Sequence, residues 1–525
     1  MKKIAALFLV LSFLFCGIAA ADDVEAGLLR TAIHYDIRTM DVARTSDDYM
    51  IPMNVFDRLF ETRPGKESSE IVKSLITDYS VSEDGKTYTF TLREGIVFSN
   101  GSALTASDVQ YSFERLLKIG DQNTDIPKEV VGGKAVLDKQ ADSLEGFKVT
   151  DDLHFSITLE APNAGFPAEL SAPAMSIVDK ETVEKAAAFG TEPADTVGTG
   201  PYIVTEWVSG DHYTLVYNEK YWGPEPSVKK LIVKTIDTAS TRSMKFNSDE
   251  LDIVDLQGMD NMIVGSTFQG KPIVSTPKVG LTYLLLNENQ KYLKDVKVRK
   301  AIGMAINVDE IIQGVFMGNA QRENGIIPTG VWGHNSDLKG FTYDPEGAKA
   351  LLKEAGYAEG EVTFELAMNS TKATDNDTLV YNTISSQLKK VGITANIVSY
   401  EDSMWAKKRN SGEMESFVAT WGMDYNDPAN IMDTFFGSVA NTKGRSLNYP
   451  DEKTIDRVAA ARTIVNDDER KAEYQALEKQ LIEEEAVWIP MYAELHRWCL
   501  GPRVESFTPQ WAGFTDFYAA DVKLK

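Results

Sequence analysis

The hydrophobic pattern of the chain changes near residue 280, and this change limits the folds that are open to it. Before that point apolar and polar residues alternate, as in "TYTFTL" and "LHFSITL", which is typical of half-buried strands. After it, apolar residues recur at helical spacing and strand-like runs follow them, as in "DTLVYNTISSQLKKVGITANIVSY". Repeated helix-then-strand units predict an α/β lobe joined to a sheet-rich first half.

Local signals predict the ends of several elements. Thr105, with Asp108 three residues later, predicts the start of a helix over "ASDVQYSFERLL". Asp295 predicts the start of one long amphipathic helix over "VKVRKAIGMAINVDEII". Asp344 before a proline, and Gly356, predict the two ends of another helix. The final helix, in "NDDERKAEYQALEKQLIEEE", is expected to lead into a short strand over "AVWIPMY".

The N-terminus has the layout of a secretory signal peptide, which we expect to span residues 1–21. Two lysines precede an apolar run, and the small residues Ala19 and Ala21 precede the expected cleavage point. A lipid anchor on Cys16 is the competing interpretation, and bulky Phe15 disfavours it because the position before a lipidated cysteine is normally small. No later segment approaches about 18 unbroken apolar residues, so we expect no stable insertion into a membrane.

The charge of the chain excludes several classes of partner. It carries 54 basic and 78 acidic residues, a formal net charge of -24. Removal of residues 1–21 takes away Lys2 and Lys3 and no acid, which leaves 52 basic residues and a charge of -26. Such a surface repels phosphate groups, so we expect no nucleic-acid partner. Cys499 would then be the one cysteine that remains, so we expect no internal disulfide. A mature chain of about 500 residues predicts two or three domains.

The usual signatures of catalysis are missing from the sequence. Its five histidines are scattered, with no pair at the spacing of zinc ligands on one helical turn, and no G-x-S-x-G motif occurs. The stretch "GSTFQGKP" has the glycine spacing of a phosphate-binding loop, but Pro272 replaces the required hydroxyl residue and a strand-like run follows. We therefore interpret Gly265 to Pro272 as a loop, and we expect neither a metal nor a cofactor.

The stretch "WGMDYNDPAN", residues 421–430, is the main candidate for a functional site. Asp424 and Asp427 could form a general acid/base pair, half of a metal site, or a pocket for a cation. Because Asp427 precedes Pro428, it is a good cap for a helix over "PANIMDTFF". That leaves Asp424 as the acid with a potential function.

Several of these segments together resemble the family 5 (cluster C) extracellular solute-binding proteins of peptide and nickel ABC importers. The segment "DGKTYTFTLREGIVFSNGSALTASDVQYSFERL" resembles the family signature, and "VGTGPYIVTEW", "LLLNENQKYLKDVKVRKAIGMAINVDEII" and "WGMDYNDPANIMDTFF" resemble later blocks. The resemblance implies a type II-like periplasmic-binding-protein fold, in which two lobes close by a hinge and an extra domain is present. It implies domain I from 22–61, 191–279 and 498–525, domain II from 62–190, and domain III from 280–497.

The resemblance also implies roles for individual residues. In peptide-binding members the motif W-x-x-D-Y-x-x-P supplies a Trp beside the ligand and an Asp that pairs with its α-ammonium group. These positions are Trp421 and Asp424 here, with Tyr425 adjacent. A carboxylate and an aromatic wall both attract a cation, so the assignment is chemically sensible. Simple packing of Trp421 in the core and a turn role for Asp424 remain the alternative. Three more aromatic residues in or beside matching blocks are further candidates for the wall, or for the core: Tyr283, Trp405 and Tyr492.

Two departures from the family pattern limit the ligand. Dipeptide binders carry an Arg for the peptide carboxylate on the helix where this chain reads "NDTLVYN", so a longer peptide is favoured over a dipeptide. Nickel-chelate members carry a His where this chain has Ala429, which disfavours nickel. We therefore expect a monomeric periplasmic protein that binds a peptide, delivers it to an inner-membrane ABC permease and catalyses nothing. The alternatives are another amine-bearing solute, such as an opine or amino-acid conjugate, and a secreted hydrolase that uses Asp424 and Asp427.

Overall fold

The computed structural model describes residues 25–45, 49–66, 68–259, 261–515 and 517–525. The expected signal peptide and Cys16 lie outside the described residues. The strands are, in chain order, β1 (Leu28–Ile33), β2 (Phe60–Pro64), β3 (Ser69–Lys73), β4 (Ile76–Val81), β5 (Thr87–Leu92), β6 (Phe147–Val149), β7 (His154–Thr158), β8 (Tyr202–Val208), β9 (His212–Tyr217), β10 (Lys230–Thr235), β11 (Ile253–Asp255), β12 (Ile273–Pro277), β13 (Gly280–Leu286), β14 (Ala320–Arg322), β15 (Thr363–Asn369), β16 (Thr394–Tyr400), β17 (Ser416–Gly422), β18 (Trp488–Leu500), β19 (Val504–Ser506) and β20 (Lys523–Leu524).

The helices lie between these strands and are most frequent after residue 295. In chain order they are α1 (Ala106–Ile119), α2 (Asp125–Lys128), α3 (Gly133–Leu137), α4 (Phe166–Glu169), α5 (Lys180–Lys185), α6 (Ala239–Asn247), α7 (Asn261–Thr267), α8 (Val296–Ala305), α9 (Val308–Gly314), α10 (Pro345–Glu354), α11 (Asp375–Lys390), α12 (Asp402–Asn410), α13 (Pro428–Phe436), α14 (Val439–Gly444), α15 (Glu452–Ala461) and α16 (Asp467–Lys479).

Three sheets carry most of the strands. One has the order β1-β10-β9-β8, with β1 parallel to β10, and a second has the order β4-β5-β7-β6 and is antiparallel. The largest has the order β11-β18-β13-β17-β15-β16, and β12 and β14 also pair with β18. In this sheet β15 is parallel to β16 and β17, as expected where helices connect successive strands. The change from sheet to α/β near residue 280 is confirmed.

Apolar residues cover both faces of the largest sheet. Successive residues of β13 alternate between two cores, since Leu284 belongs to the core under α8 and α11 and Leu285 to the core under α13 and α16. A separate core lies between α1 and the β4–β7 sheet. The predicted start of α1 after Thr105 is confirmed. The Thr105 backbone nitrogen donates a hydrogen bond to the Asp108 carboxylate over 2.9 Å, which caps the helix.

Three sequence-based predictions need correction. The helix predicted from Asp295 to Ile312 is two helices, because Ile306 is extended and the Asn307 side chain accepts a hydrogen bond from Glu310 N at 3.0 Å, which starts α9. The short strand predicted after α16 is β18, 13 residues long. The stretch from Gly265 to Pro272 is not wholly a loop, since α7 ends at Thr267; the strand after it, β12, is confirmed.

The length of β18 has a physical explanation. Its first half is buried on both faces, so it shows no alternation that would mark it as a long strand. It extends because its whole length has partners: β13 and β14 pair with residues 488–494, and β12 and β11 pair with residues 495–500.

Candidate ligand-binding site

A cavity of about 900 Å³ lies between the region of β4–β7 and α2 on one side and the C-terminal end of β17 with α12–α14 on the other. It is large enough for a short peptide or a comparable solute. Its walls come from parts of four stretches of chain, one pair of neighbouring residues and three isolated residues: 122–129, 169–175, 421–434 and 440–445, Arg409 with Asn410, and Arg462, Tyr49 and Phe514.

The end of β17 and the start of α13 place the predicted "WGMDYNDPAN" stretch in this cavity. Trp421 lies next to last in β17, where it pairs with Leu281 of β13. The chain then turns, and Asp424 and Tyr425 follow before α13 begins. Trp421, Asp424 and Tyr425 all line the cavity, so the structure brings these three predicted residues together.

One asparagine of α13 holds both Trp421 and Asp424. The Asn430 oxygen accepts hydrogen bonds from the Trp421 indole nitrogen at 3.0 Å and from the Asp424 backbone nitrogen at 3.3 Å. The Asn430 side-chain nitrogen donates to the Asp424 carboxylate over 3.2 Å. Asn430 itself is buried, so both groups have a fixed support behind the cavity wall.

The Asp424 carboxylate faces the open cavity with protein around it on its other sides. Its side chain is solvent-exposed, yet removal of surrounding water by the protein raises its pKa above the ordinary value, against the opposing effects of Asn430 and Arg445. Among the described residues it forms no ion pair with a Lys, Arg or His. It is therefore a carboxylate available to a cation that enters from solution.

Asp427 has a different environment from Asp424. Its side chain accepts a hydrogen bond from Ala429 N at 3.0 Å, which confirms the predicted helix cap. It is also buried against Arg470, with the Arg470 nitrogen 2.8 Å from the carboxylate. Asp427 does not line the cavity, so the two acids are not arranged as a catalytic pair.

Tyr425 joins the two sides of the cavity. It is half-buried and packs against the core between α1 and the β4–β7 sheet, although it lies in the loop before α13. Burial raises the pKa of its phenol well above the ordinary value, so the ring stays neutral. It supplies an uncharged wall beside Asp424.

The other three predicted aromatic residues do not line this cavity. Tyr283 is buried and stacks on Trp488 with ring centroids 4.0 Å apart. Tyr492 is buried beside Phe316, with centroids 4.8 Å apart. Trp405 packs edge-on against the ring of Phe417 in the core of α13 and α16. The structure thus places them in packing positions, and any role of theirs in binding stays a prediction.

Three arginines in the cavity wall were missed by the sequence-based reasoning. Arg409 is near the end of α12, Arg445 directly follows α14, and Arg462 directly follows α15. In the sequence each is one of several charges near a helix end, where solvent exposure is the ordinary expectation. No local signal connects them to Asp424.

Arg462 forms a cluster with three carboxylates across the cavity. Its guanidinium lies 2.6 Å from Glu129, 3.1 Å from Glu169 and 3.4 Å from Asp433. The single positive charge of Arg462 does not balance three carboxylates. Burial, and then the neighbouring carboxylates, therefore raise the pKa of Glu169 above its ordinary value. Burial likewise raises the pKa of Asp433 to about 7. This Arg462 cluster joins α15 and α13 to α2 and α4.

The loop of Asp424 is also fixed from behind. The Asn426 side-chain nitrogen donates to Ser69 Oγ at 2.6 Å and to the Trp511 carbonyl at 2.7 Å. Ser69 Oγ in turn donates to the Gly330 carbonyl at 2.7 Å. Four distant parts of the chain therefore meet at this point.

In the residues that the structure describes, no group of three or more His, Cys, Asp or Glu side chains is placed to hold a metal ion. Within the same ranges, none of the helices has the length and apolar character needed to cross a bilayer.

Residues 70–443, more than half of the chain, match the model of the bacterial extracellular solute-binding proteins, family 5 (middle region). The chain belongs to this family. The resemblance inferred from the sequence is confirmed, and so is the α/β binding-protein fold.

Proteins that are named for different ligands are similar to the chain. The dipeptide-binding protein of Escherichia coli is 31% identical over 418 residues, which cover 77% of this chain and 76% of that protein. Heme-binding protein A of Haemophilus influenzae is 27% identical over 90% of this chain and 87% of that protein. The periplasmic binding protein DppA of Helicobacter pylori, solved with the peptide STSA, matches with a TM-score of 0.72 and 26% identity over 95% of this chain and 98% of that one.

Proposed function

We propose that this family 5 protein binds a peptide in the 900 Å³ cavity and delivers it to an inner-membrane ABC permease from the periplasm. Asp424 would pair with the ammonium group of the peptide, with Trp421 and Tyr425 as neighbouring walls. The single observation that carries the proposal is the Asp424 carboxylate: it faces the cavity without an ion-pair partner among the described residues, and Asn430 holds it beside Trp421. Named peptide binders among the relatives support the choice of ligand class.

The domain organisation belongs to the same proposal. Domain I would comprise residues 22–61, 191–279 and 498–525, domain II residues 62–190, and domain III residues 280–497. The cavity walls at 122–129 and 169–175 would then belong to domain II, and those at 409–445 to domain III. Binding would draw these walls together about a hinge, and the chain would act as a monomer.

Two alternatives have less support. An opine or amino-acid conjugate would satisfy Asp424 as well as a peptide does, since only an ammonium group is required. A hydrolase using Asp424 and Asp427 is disfavoured, because Asp427 is buried in its pair with Arg470 and does not line the cavity.

The test uses Asp424→Asn and a matched control, Asp125→Asn, which removes another acid from the same cavity wall. Purified protein, refolded to remove bound solute, is titrated by calorimetry with peptides selected from a pool of random tetrapeptides. Asp424→Asn should weaken binding about 30-fold or more, since one partner of a desolvated charge pair is lost, while Asp125→Asn changes it little. Equal affinities of Asp424→Asn and the unmodified chain would contradict the ammonium site. Peptide cleavage that disappears in Asp427→Asn would favour the hydrolase.

A further inference from the structure

Arg409 and Arg445 are half-buried arginines without the carboxylate partner that several other arginines of the described chain have. Arg115, Arg299, Arg462 and Arg470 each lie within 3.0 Å of a carboxylate. In the ranges that the structure describes, neither Arg409 nor Arg445 forms an ion pair. Both line the cavity that holds Asp424.

Aromatic rings and one amide hold these two guanidinium groups in place. Arg409 lies over the Trp405 ring at 5.3 Å and donates from Nε and Nη2 to the Asn410 oxygen at 3.0 and 2.8 Å. Arg445 lies over the Trp421 and Phe435 rings, 5.1 Å from each centroid. Stacking of this kind orients a guanidinium and leaves its edge free for hydrogen bonds.

The two arginines also act on each other unfavourably. Burial, and then the charge of Arg409, lowers the pKa of Arg445, and burial lowers that of Arg409. Two neighbouring cations with free N–H donors form a site for an anion, and a carboxylate fits it because it accepts paired N–H groups.

The positions of the three charged groups define the ligand further. Trp421 contacts Arg445 through its ring and Asn430 through its indole nitrogen, and Asn430 binds Asp424. An anion site and an ammonium site therefore lie around one indole. We infer that Arg409 and Arg445 bind a carboxylate of the solute, so that the protein selects zwitterionic ligands whose ammonium group binds Asp424.

This inference rests on the proposed function and revises one expectation from the sequence. The absence of a basic residue in "NDTLVYN" favoured a longer peptide over a dipeptide, because no arginine on that helix can bind the dipeptide carboxylate. Two arginines from α12 and the end of α14 supply that charge from other parts of the chain, so a short peptide with a free C-terminus fits again. An acidic side chain of the ligand offers the same chemistry, and the experiment separates the two sources.

The experiment compares pools of random di-, tri- and tetrapeptides with the unmodified chain, Arg409→Gln, Arg445→Gln and the double variant. The first pool has a free C-terminal carboxylate and no Asp or Glu, the second has the same sequences as C-terminal amides, and the third has amides that contain Glu. Bound peptides are identified by native mass spectrometry, and the best binder is titrated in its acid and amide forms. Lys407→Gln is the matched control, because Lys407 is an exposed cation of α12 outside the cavity wall.

The expected result is an acid form that binds the unmodified chain and Lys407→Gln about 30-fold more tightly than the amide does. In the double variant this ratio should fall close to one, because both forms then lack a partner for the C-terminus. Preferential capture from the third pool, lost in the double variant, would assign the carboxylate to a ligand side chain. Equal binding of acid and amide forms from all pools would overturn the carboxylate site and leave the ammonium site standing. Binding from none of the pools would contradict the peptide function, and with it this inference.

Discussion

Asn430 donates a hydrogen bond to the Asp424 carboxylate over 3.2 Å from a position buried behind the cavity wall. Because its oxygen also accepts from Trp421, a single side chain orients the acid and the indole together. The site thus depends on a residue that makes no direct contribution of charge.

We predict that Asn430→Ala weakens ligand binding about tenfold to a hundredfold, since hydrogen bonds to a charged group contribute about 1.5–3 kcal/mol. Calorimetric titration with the best peptide binder measures this loss. Asn396→Ala, on the exposed part of β16, is the control and should leave affinity unchanged. An unchanged affinity in Asn430→Ala would show that Asp424 and Trp421 need no such support.

We predict that Asp427→Asn destabilises the fold without weakening binding. The asparagine oxygen can still cap α13, but Arg470 loses its buried partner at 2.8 Å, which costs about 3–5 kcal/mol. Asp467→Asn is the matched control, because Asp467 is 74% exposed and 3.9 Å from the same arginine, so it should cost less than about 1 kcal/mol. Denaturant unfolding measures both, and equal effects would argue against a buried pair.

We predict that Arg462→Gln makes stability more sensitive to pH. Without the arginine, Glu129, Glu169 and Asp433 repel one another, and the pKa values of Glu169 and Asp433, already raised by burial in the folded protein, rise further. A raised carboxyl pKa stabilises the fold below the unfolded value and loses that contribution as pH rises through the folded value. The variant should therefore approach the stability of the unmodified chain near pH 5 and fall about 3 kcal/mol below it near pH 8.

Unfolding in denaturant at several pH values measures this difference. Arg457→Gln, which breaks a more exposed pair between Arg457 of α15 and Glu473 of α16, is the control and should show a small loss at every pH. A loss in Arg462→Gln that does not grow with pH would mean that the Arg462 cluster is not the source.

We predict that Glu478→Gln stabilises the protein at pH 8 and not at pH 5. Glu478 is buried, accepts a hydrogen bond from Ile327 N at 2.7 Å, and has its pKa raised to about 8 by burial. Between about 4.5 and 8 the folded state holds a proton that the unfolded state releases, so stability falls with rising pH by up to about 1.4 kcal/mol per pH unit. Glutamine imitates the protonated form, and exposed Glu413→Gln controls for the loss of one charge. Parallel stability curves for all three proteins would contradict the raised pKa.

Local sequence signals predicted those features of the fold and the site that depend on residues close together in the chain. Trp421, Asp424 and Tyr425 occupy one short stretch between a strand and a capped helix, so their shared position could be inferred from spacing. The break at Asn307 was missed because the apolar stripe continues across it, and only the hydrogen bond to Glu310 reveals the new cap.

The remainder of the site depends on contacts between distant segments. Arg445 stacks on Trp421 from the end of α14, and Arg462 meets Glu129 and Glu169, which lie about 300 residues earlier in the chain. No periodicity or motif encodes such pairings, because they arise from the packing of whole helices and sheets. For the same reason, resemblance to family blocks could not show that the rings of Tyr283 and Tyr492 are buried in the core.

The contacts of Asn426 determine when, during synthesis of the chain, the binding pocket can be completed. Ser69, Gly330 and Trp511 must all be present before the loop of Asp424 has its supports. A ribosome adds residue 511 after the loop of Asp424 and its two other supports, so the growing polypeptide has no finished pocket before that point. Recognition of solute would then be among the last properties that the newborn protein acquires.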